Sequence, residues 1–237
     1  NAAARAAETG QAAAADIDTA IIAACGLPMG PLTLMDLIGL DVSLDVMETM
    51  FEETRDQRYA PAPLLRRLVM AGDLGRKTGR GYYRYDGSEA IAVIPPPDFS
   101  VGSARPTSTV VMVASSASAL HTAMPTVDLV DPDKTSDADV VIVDGGSRSG
   151  TAELLARVVR VTKAGAVIGV ATTDEAPVLA MTAGLPDRGY IVGVHLPHTP
   201  RGGVIEVVAT LHSHPDAVAT MVAATRDAGL AAIACRD

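Results

Sequence analysis

At 237 residues the chain has room for one or two domains. Its 48% hydrophobic and 20% charged residues are those of an ordinary globular protein with enough apolar side chains for sizeable cores, which excludes disorder over the whole length. Lys and Arg number 19 against 28 Asp and Glu, a net charge of -9 with no basic stripe, so nucleic acid is not an expected partner.

Cys25 and Cys235 lie at opposite ends of the chain, with no paired spacing and no redox motif. A reducing cytoplasm is the expected compartment. The longest apolar runs, such as 165–171 and 191–196, fall well short of the roughly 20 residues a membrane helix needs, and no signal-peptide layout opens the chain. The first residues already have helical character and the last follow a strand-like run, so both ends read as cut. Abundant Ala and a preference for Arg over Lys are the bias of a high-GC bacterial gene.

Residues 1–90 read as helices. An Ala-rich helix over 1–9 ends at Gly10. Asp16 is expected to cap a helix carrying Ile17, Ala20, Ile21 and Ala24 on one face, which stops at Gly26. Pro31 opens a helix over 32–38, where its missing N–H costs nothing, and Gly39 breaks it. Residues 41–55 place Val42, Val46 and Met50 at helical spacing, and 63–71 close the set. Short loops between such helices predict a small antiparallel bundle.

Residues 91–106 are Pro-rich and without an apolar period, a stiff linker. Beyond it, over 107–237, strands (110–114, 127–130, 140–143, 166–170, 191–194, 204–208, 230–234) alternate with helices (151–161, 176–183, 215–228). The strands are β-branched throughout, as expected where helices cover both sheet faces. The predicted class is therefore α plus α/β: a small helical domain followed by a shortened, Rossmann-like doubly wound sheet.

A dinucleotide-binding sheet announces itself at the turn after its first strand, where glycines let the backbone approach a pyrophosphate. Here that turn runs from Ala114 through Ser115, Ser116, Ala117 and Ser118, without a glycine. Ser115 could still donate to a phosphate, and Asp131, at the end of the next strand, stands where a ribose-binding acid would. The run from Gly75 to Gly81 contains Lys77 and Thr78 but lacks Walker spacing and a preceding strand, so it reads locally as a glycine hinge. His195 ends one strand and Glu206 stands in the next; a histidine held by a carboxylate is a good general base, although a structural histidine is the plainer alternative. His195 with His198, or His212 with His214, could also hold metal, but nothing completes a ligand set.

The stretch from Gly26 through Pro28, Gly30, Pro31, Asp36 and Gly39 to Asp41, and the run from Gly72 to Tyr85, resemble the helical C-terminal domain of 3-hydroxyacyl-CoA dehydrogenases, including the bacterial 3-hydroxybutyryl-CoA branch. The likeness covers nearly all of 1–86. Residues 137–237 resemble the second half of the same family's NAD-binding domain. By that resemblance His195 takes the position of the catalytic base, Glu206 that of its partner with one residue fewer between them, and Thr172 or Thr173 that of a site serine. His198 stands where the family has an asparagine. The glycine fingerprint is missing, and the segment between the second strand and Asp139 is reduced to 132–138.

The resemblance implies part of a tandem enzyme that oxidises the 3-hydroxyl of an acyl-CoA to a 3-oxo group with NAD, assembled as a homodimer through the helical domain. Its alternative is a catalytically inactive scaffold with a degenerate nucleotide domain. One geometric expectation decides between a working and a vestigial dyad: a Glu206 carboxylate oxygen roughly 2.6 to 3.2 Å from a His195 ring nitrogen.

Overall fold

The computed structural model describes residues 1–86, 89–92, 102–115, 118–171, 178–185, 188–197 and 204–236. The chain divides into two compact units, Asn1–Phe99 and Ser100–Asp237.

The first unit contains α1 (Ala2–Glu8), α2 (Ala14–Cys25), α3 (Pro31–Ile38), α4 (Leu40–Thr54) and α5 (Pro63–Met70), followed by an antiparallel pair, β1 (Tyr83–Asp86) and β2 (Glu89–Ala92). Helix α1 packs against α2, α3 and α5, and α4 packs against α3 and α5. Asp16, expected as a cap, lies inside the first turn of α2, where an acid suits the exposed N–H groups; Ala13 holds the capping position in extended backbone. Gly26 ends α2 in the left-handed region, and Pro31 is the first residue of α3. The hairpin is a difference from the all-helical reading of 1–90. Its residues carry no helical period, and the backbone N–H groups of Tyr82 and Tyr83 are drawn to a buried acid instead of a helix ladder.

That acid is Asp36, 1% exposed. Its oxygens accept from Tyr82 N (2.9 Å), Tyr83 N (2.9 Å) and the Tyr85 hydroxyl (2.9 Å). A second buried acid, Asp18, accepts from Leu32 N (2.8 Å), Thr33 N (2.9 Å), the Thr33 hydroxyl (2.7 Å) and the Tyr83 hydroxyl (3.0 Å). Gly75 has a positive φ of 89°, and a Cβ there would stand 2.3 Å from the Asp36 carbonyl oxygen. The glycine run read as a hinge is thus a wrap, closed around the end of α3 because glycine lets backbone meet backbone.

The second unit is built on a seven-stranded sheet in the order β4-β3-β5-β6-β7-β8-β9. Its strands are β3 (Val110–Ala114), β4 (Asp128–Leu129), β5 (Val140–Asp144), β6 (Val167–Ala171), β7 (Ile191–His195), β8 (Val204–Ala209) and β9 (Ala231–Arg236). All neighbours are parallel except β7 and β8. The helices are α6 (Ala119–Ala123), α7 (Arg148–Val161), α8 (Val178–Met181) and α9 (Pro215–Asp227). The two faces have separate cores: Val111, Val141, Val143, Ile168 and Val170 pack with Leu155 and Val158 of α7, while Gly169 leaves room for Met221 of α9 and for Val194. Continuous β-branched strands are the sequence counterpart of this double cover.

From the Pro-rich segment, described residues 102–106 are docked rather than loose. Gly102 N donates to the Pro215 carbonyl, Ser103 N to the Asp216 carboxylate and Arg105 N to the Thr220 hydroxyl, so this stretch is strapped along the start of α9. The Arg105 guanidinium also lies 4.6 Å over the Tyr190 ring.

Candidate active site

Strand β7 runs parallel to β6 and ends at His195, which therefore lies at the carboxyl edge of the sheet, where open α/β folds place their ligands. Strand β8 returns antiparallel, and in this register His195 and Glu206 stand directly opposite one another. Opposed residues in an antiparallel pair project to the same face. His195 Nδ1 and Glu206 Oε2 are 3.0 Å apart, with the side chains 37% and 31% exposed.

The neighbours of the pair in their own strands, Val194 and Val207, are fully buried, so the strand backs the dyad with core while its ring edge reaches solvent. Against a carboxylate acceptor Nδ1 carries the imidazole proton, which leaves the Nε2 lone pair as the base. The arrangement can take a proton from a hydroxyl and hold the resulting imidazolium. Thr172 and Thr173, expected beside it, lie outside the described residues, as does His198.

Ser115 and Asp131 occupy the same sheet edge, farther along. The chain passes from β3 to its neighbour β4 and then returns to β5 on the other side of β3, so the connections reverse between β3 and β5. Such a switch point is where a doubly wound sheet opens a crevice. Here Asp144, 3% exposed at the end of β5, turns its carboxylate into that position. Its oxygens accept from the Ser118 hydroxyl (2.7 Å) and Gly146 N (2.9 Å), while its carbonyl accepts from Ser115 N (2.9 Å). Asp131 is exposed after β4, with one carboxylate oxygen 3.7 Å from the Lys134 ammonium.

These groups do not fit the diphosphate of NAD. The turn after β3 carries serine side chains in place of glycines, α6 has five residues, and a buried carboxylate stands where a second anion would have to enter. Among the described residues no group of three or more His, Cys, Asp or Glu could hold a metal ion. His214 accepts from Asp216 N through Nδ1 (3.2 Å) as the cap of α9, and its ring stacks on Tyr190.

Reading the sequence gave no role to Asp144, Asp18 or Asp36. Asp144 had one signal, an acid placed directly after four β-branched residues and before two glycines. Asp36 had a comparable one, a single acid set among the apolar residues of α3, and Asp18 a weaker one, an acid between Ile17 and the apolar run that starts at Ala20.

Residues 1–85 match the family described as 3-hydroxyacyl-CoA dehydrogenase, C-terminal domain. The match is to this one domain of the family and lies within the helical unit. It is similar to a 3-hydroxybutyryl-CoA dehydrogenase of Mycobacterium tuberculosis, 50% identical over 78 residues, 33% of this chain and 27% of that protein. A probable 3-hydroxybutyryl-CoA dehydrogenase of Deinococcus radiodurans is 57% identical over 58 residues, 24% of this chain and 21% of that protein. The chain thus spans about a quarter of the length of the curated relatives it matches. A crystal structure of 3-hydroxybutyryl-CoA dehydrogenase from Escherichia coli K12 aligns with all of this chain (100%) and 39% of its own, at a TM-score of 0.58 and 22% identity. That likeness concerns the fold alone. No helix among the described residues is long and apolar enough to cross a membrane.

Proposed function

We propose that the chain is part of a dehydrogenase that oxidises the 3-hydroxyl of a short acyl-CoA, of the 3-hydroxybutyryl-CoA kind, to a 3-oxo group with NAD. The observation that carries this reading is the helical unit, whose first 85 residues match the family and whose similar proteins bear that activity in their names. Its role is to wall the acyl-CoA cleft of a catalytic unit and to supply the dimer contact, for which α4 offers Val42, Val46 and Met50 as exposed apolar side chains.

In such a reaction a base removes the hydroxyl proton while a hydride leaves the same carbon. The sheet unit is equipped for the first task. His195 Nε2 is the base, Glu206 orients the ring and stabilises the imidazolium, and Thr172 is proposed to hold the substrate oxygen. The residues at its switch point do not suit a dinucleotide, so the NAD that takes the hydride has to be brought to the carbon beside His195 by a nucleotide-binding unit other than this sheet.

A second reading is favoured by Asp144: the sheet unit is a scaffold that kept its packing after losing cofactor binding. The two separate on the intact parent protein, assayed for NADH formation from (S)-3-hydroxybutyryl-CoA. Loss of turnover in its His195→Ala form supports the dyad; full turnover in that variant leaves the scaffold. A parent with no activity on the substrate overturns the dehydrogenase reading itself.

A further inference from the structure

We propose that Asp144 is a built-in anion of the switch-point crevice: its carboxylate takes the donors that a dinucleotide-binding sheet would present to phosphate, so this unit folds without a dinucleotide and accepts none. The inference does not depend on the dehydrogenase reading, because it concerns only the sheet unit's own residues.

Around the crevice several of the described N–H and O–H groups are consumed internally. Gly146 N and the Ser118 hydroxyl are held by the two Asp144 oxygens. Gly145 N donates to the Thr151 hydroxyl (3.0 Å), Gly150 N to the Ser147 hydroxyl (3.1 Å) and Thr151 N to the Ser147 carbonyl (2.8 Å). The start of α7, the helix that follows β5, uses these donors within its own turn. Gly145 makes this closure feasible: a Cβ there would lie 2.1 Å from Thr151 N, so the turn folds back more tightly than any side chain allows.

The two turns also lean on each other. A Cβ on Gly146 would meet Ser115 Oγ at 2.9 Å, which puts the turn after β5 in the space above the turn after β3. Ser118 joins them a second time, since its hydroxyl donates to Asp144 while accepting from His121 N (3.0 Å) as the cap of α6. Asp144, Ser118 and Thr151 are all nearly fully buried. An incoming diphosphate would have to displace a buried carboxylate and then share its donors, and like charges do not share such a site.

The test uses the whole 237-residue chain. NADH is titrated to millimolar concentration and followed by its own fluorescence; no saturable change is expected, and saturable binding in the micromolar range overturns the proposal. Thermal melts then compare the wild type with Asp144→Ala and Asp144→Asn, each with and without tens of millimolar inorganic phosphate. Asp144→Ala is expected to melt roughly 5 °C lower or to be unfolded, and phosphate is expected to raise its midpoint more than that of the wild type. Should Asp144→Ala stay unfolded in both buffers, Asp144→Asn decides. A lowered midpoint that phosphate partly restores supports an anion requirement; a wild-type midpoint shows that a neutral acceptor suffices and overturns it.

Discussion

His195 and Glu206 are register partners across the antiparallel β7/β8 pair, with Nδ1 and Oε2 3.0 Å apart. One residue fewer between them than in the family pattern leaves this contact possible because the strand register sets it. Slipping β8 by one residue would turn Glu206 to the other sheet face, so the change in length has to be absorbed between the strands. The pair therefore predicts a definite tautomer. Nitrogen chemical shifts of His195 are expected to show the proton on Nδ1, and Glu206→Ala to remove that preference; a wild-type ring protonated on Nε2 alone would contradict the base assignment.

Turnover separates geometry from catalysis. The 237-residue chain by itself is expected to show no reduction of acetoacetyl-CoA by NADH, since its switch point offers the cofactor no place. Activity in this chain that His195→Ala abolishes would prove a complete site in the sheet unit.

Helix α4 should carry a self-association surface. Val42, Val46 and Met50 are 45%, 53% and 38% exposed, and Leu34, Leu37 and Ile38 of α3 are exposed as well, whereas Leu65 of α5 is fully buried. Exposed apolar side chains grouped on two neighbouring helices are the expected mark of an interface. Sedimentation is expected to give a dimer at tens of micromolar and a monomer for Val46→Glu. A wild-type monomer at that concentration removes the interface.

Asp36 holds the hairpin to α3. Burial, opposed by the hydrogen bonds from Tyr82, Tyr83 and Tyr85, raises its carboxyl above the usual carboxylate range. Raised in the folded state, this group favours folding while protonated and costs stability as pH climbs through its own range. Asp36→Ala strands two backbone N–H groups and a hydroxyl and is expected to lose roughly 3 kcal/mol. Four of the five tyrosines lie in the helical unit, so tyrosine fluorescence in urea reports the loss, and a change below about 1 kcal/mol would reject the clamp.

Asp139 predicts the acid limb of stability. The Lys163 ammonium at 2.7 Å, with the backbone and hydroxyl of Ser108 and the backbone of Thr109, holds its carboxyl well below the ordinary carboxylate value. A group depressed on folding stabilises above its unfolded pKa of about 4 and loses that contribution as pH falls below it. Asp139→Asn should lower the melting temperature at pH near 7, with the gap to wild type narrowing below about pH 4. A gap that stays constant down to pH near 2 would mean that charge is not what Asp139 contributes.

Much of the fold was open to reading along the chain, because what made it legible is local. Pro31, Gly26 and Gly39 punctuate helices wherever they occur, and a β-branched run between glycines makes a covered strand whatever its neighbours are. The same local rules failed where a distant group competed. Tyr83 to Asp86 became a strand and Asp16 a first-turn acid, and nothing within a few residues of Gly75 shows that it wraps Asp36.

By itself the sequence determined a helical unit, a following sheet of helix-covered strands, and a histidine and a glutamate in consecutive strands of that sheet. Only the tertiary structure decided which groups meet. The antiparallel register placed His195 opposite Glu206, and the strand order brought the turns after β3 and β5 together so that Ser118 reaches Asp144 across 26 residues of sequence. The reason is physical: helix and strand periods are set by backbone geometry over a few residues, whereas the partner of a buried carboxylate is set by which segments the chain can close together and still satisfy every polar group it buries.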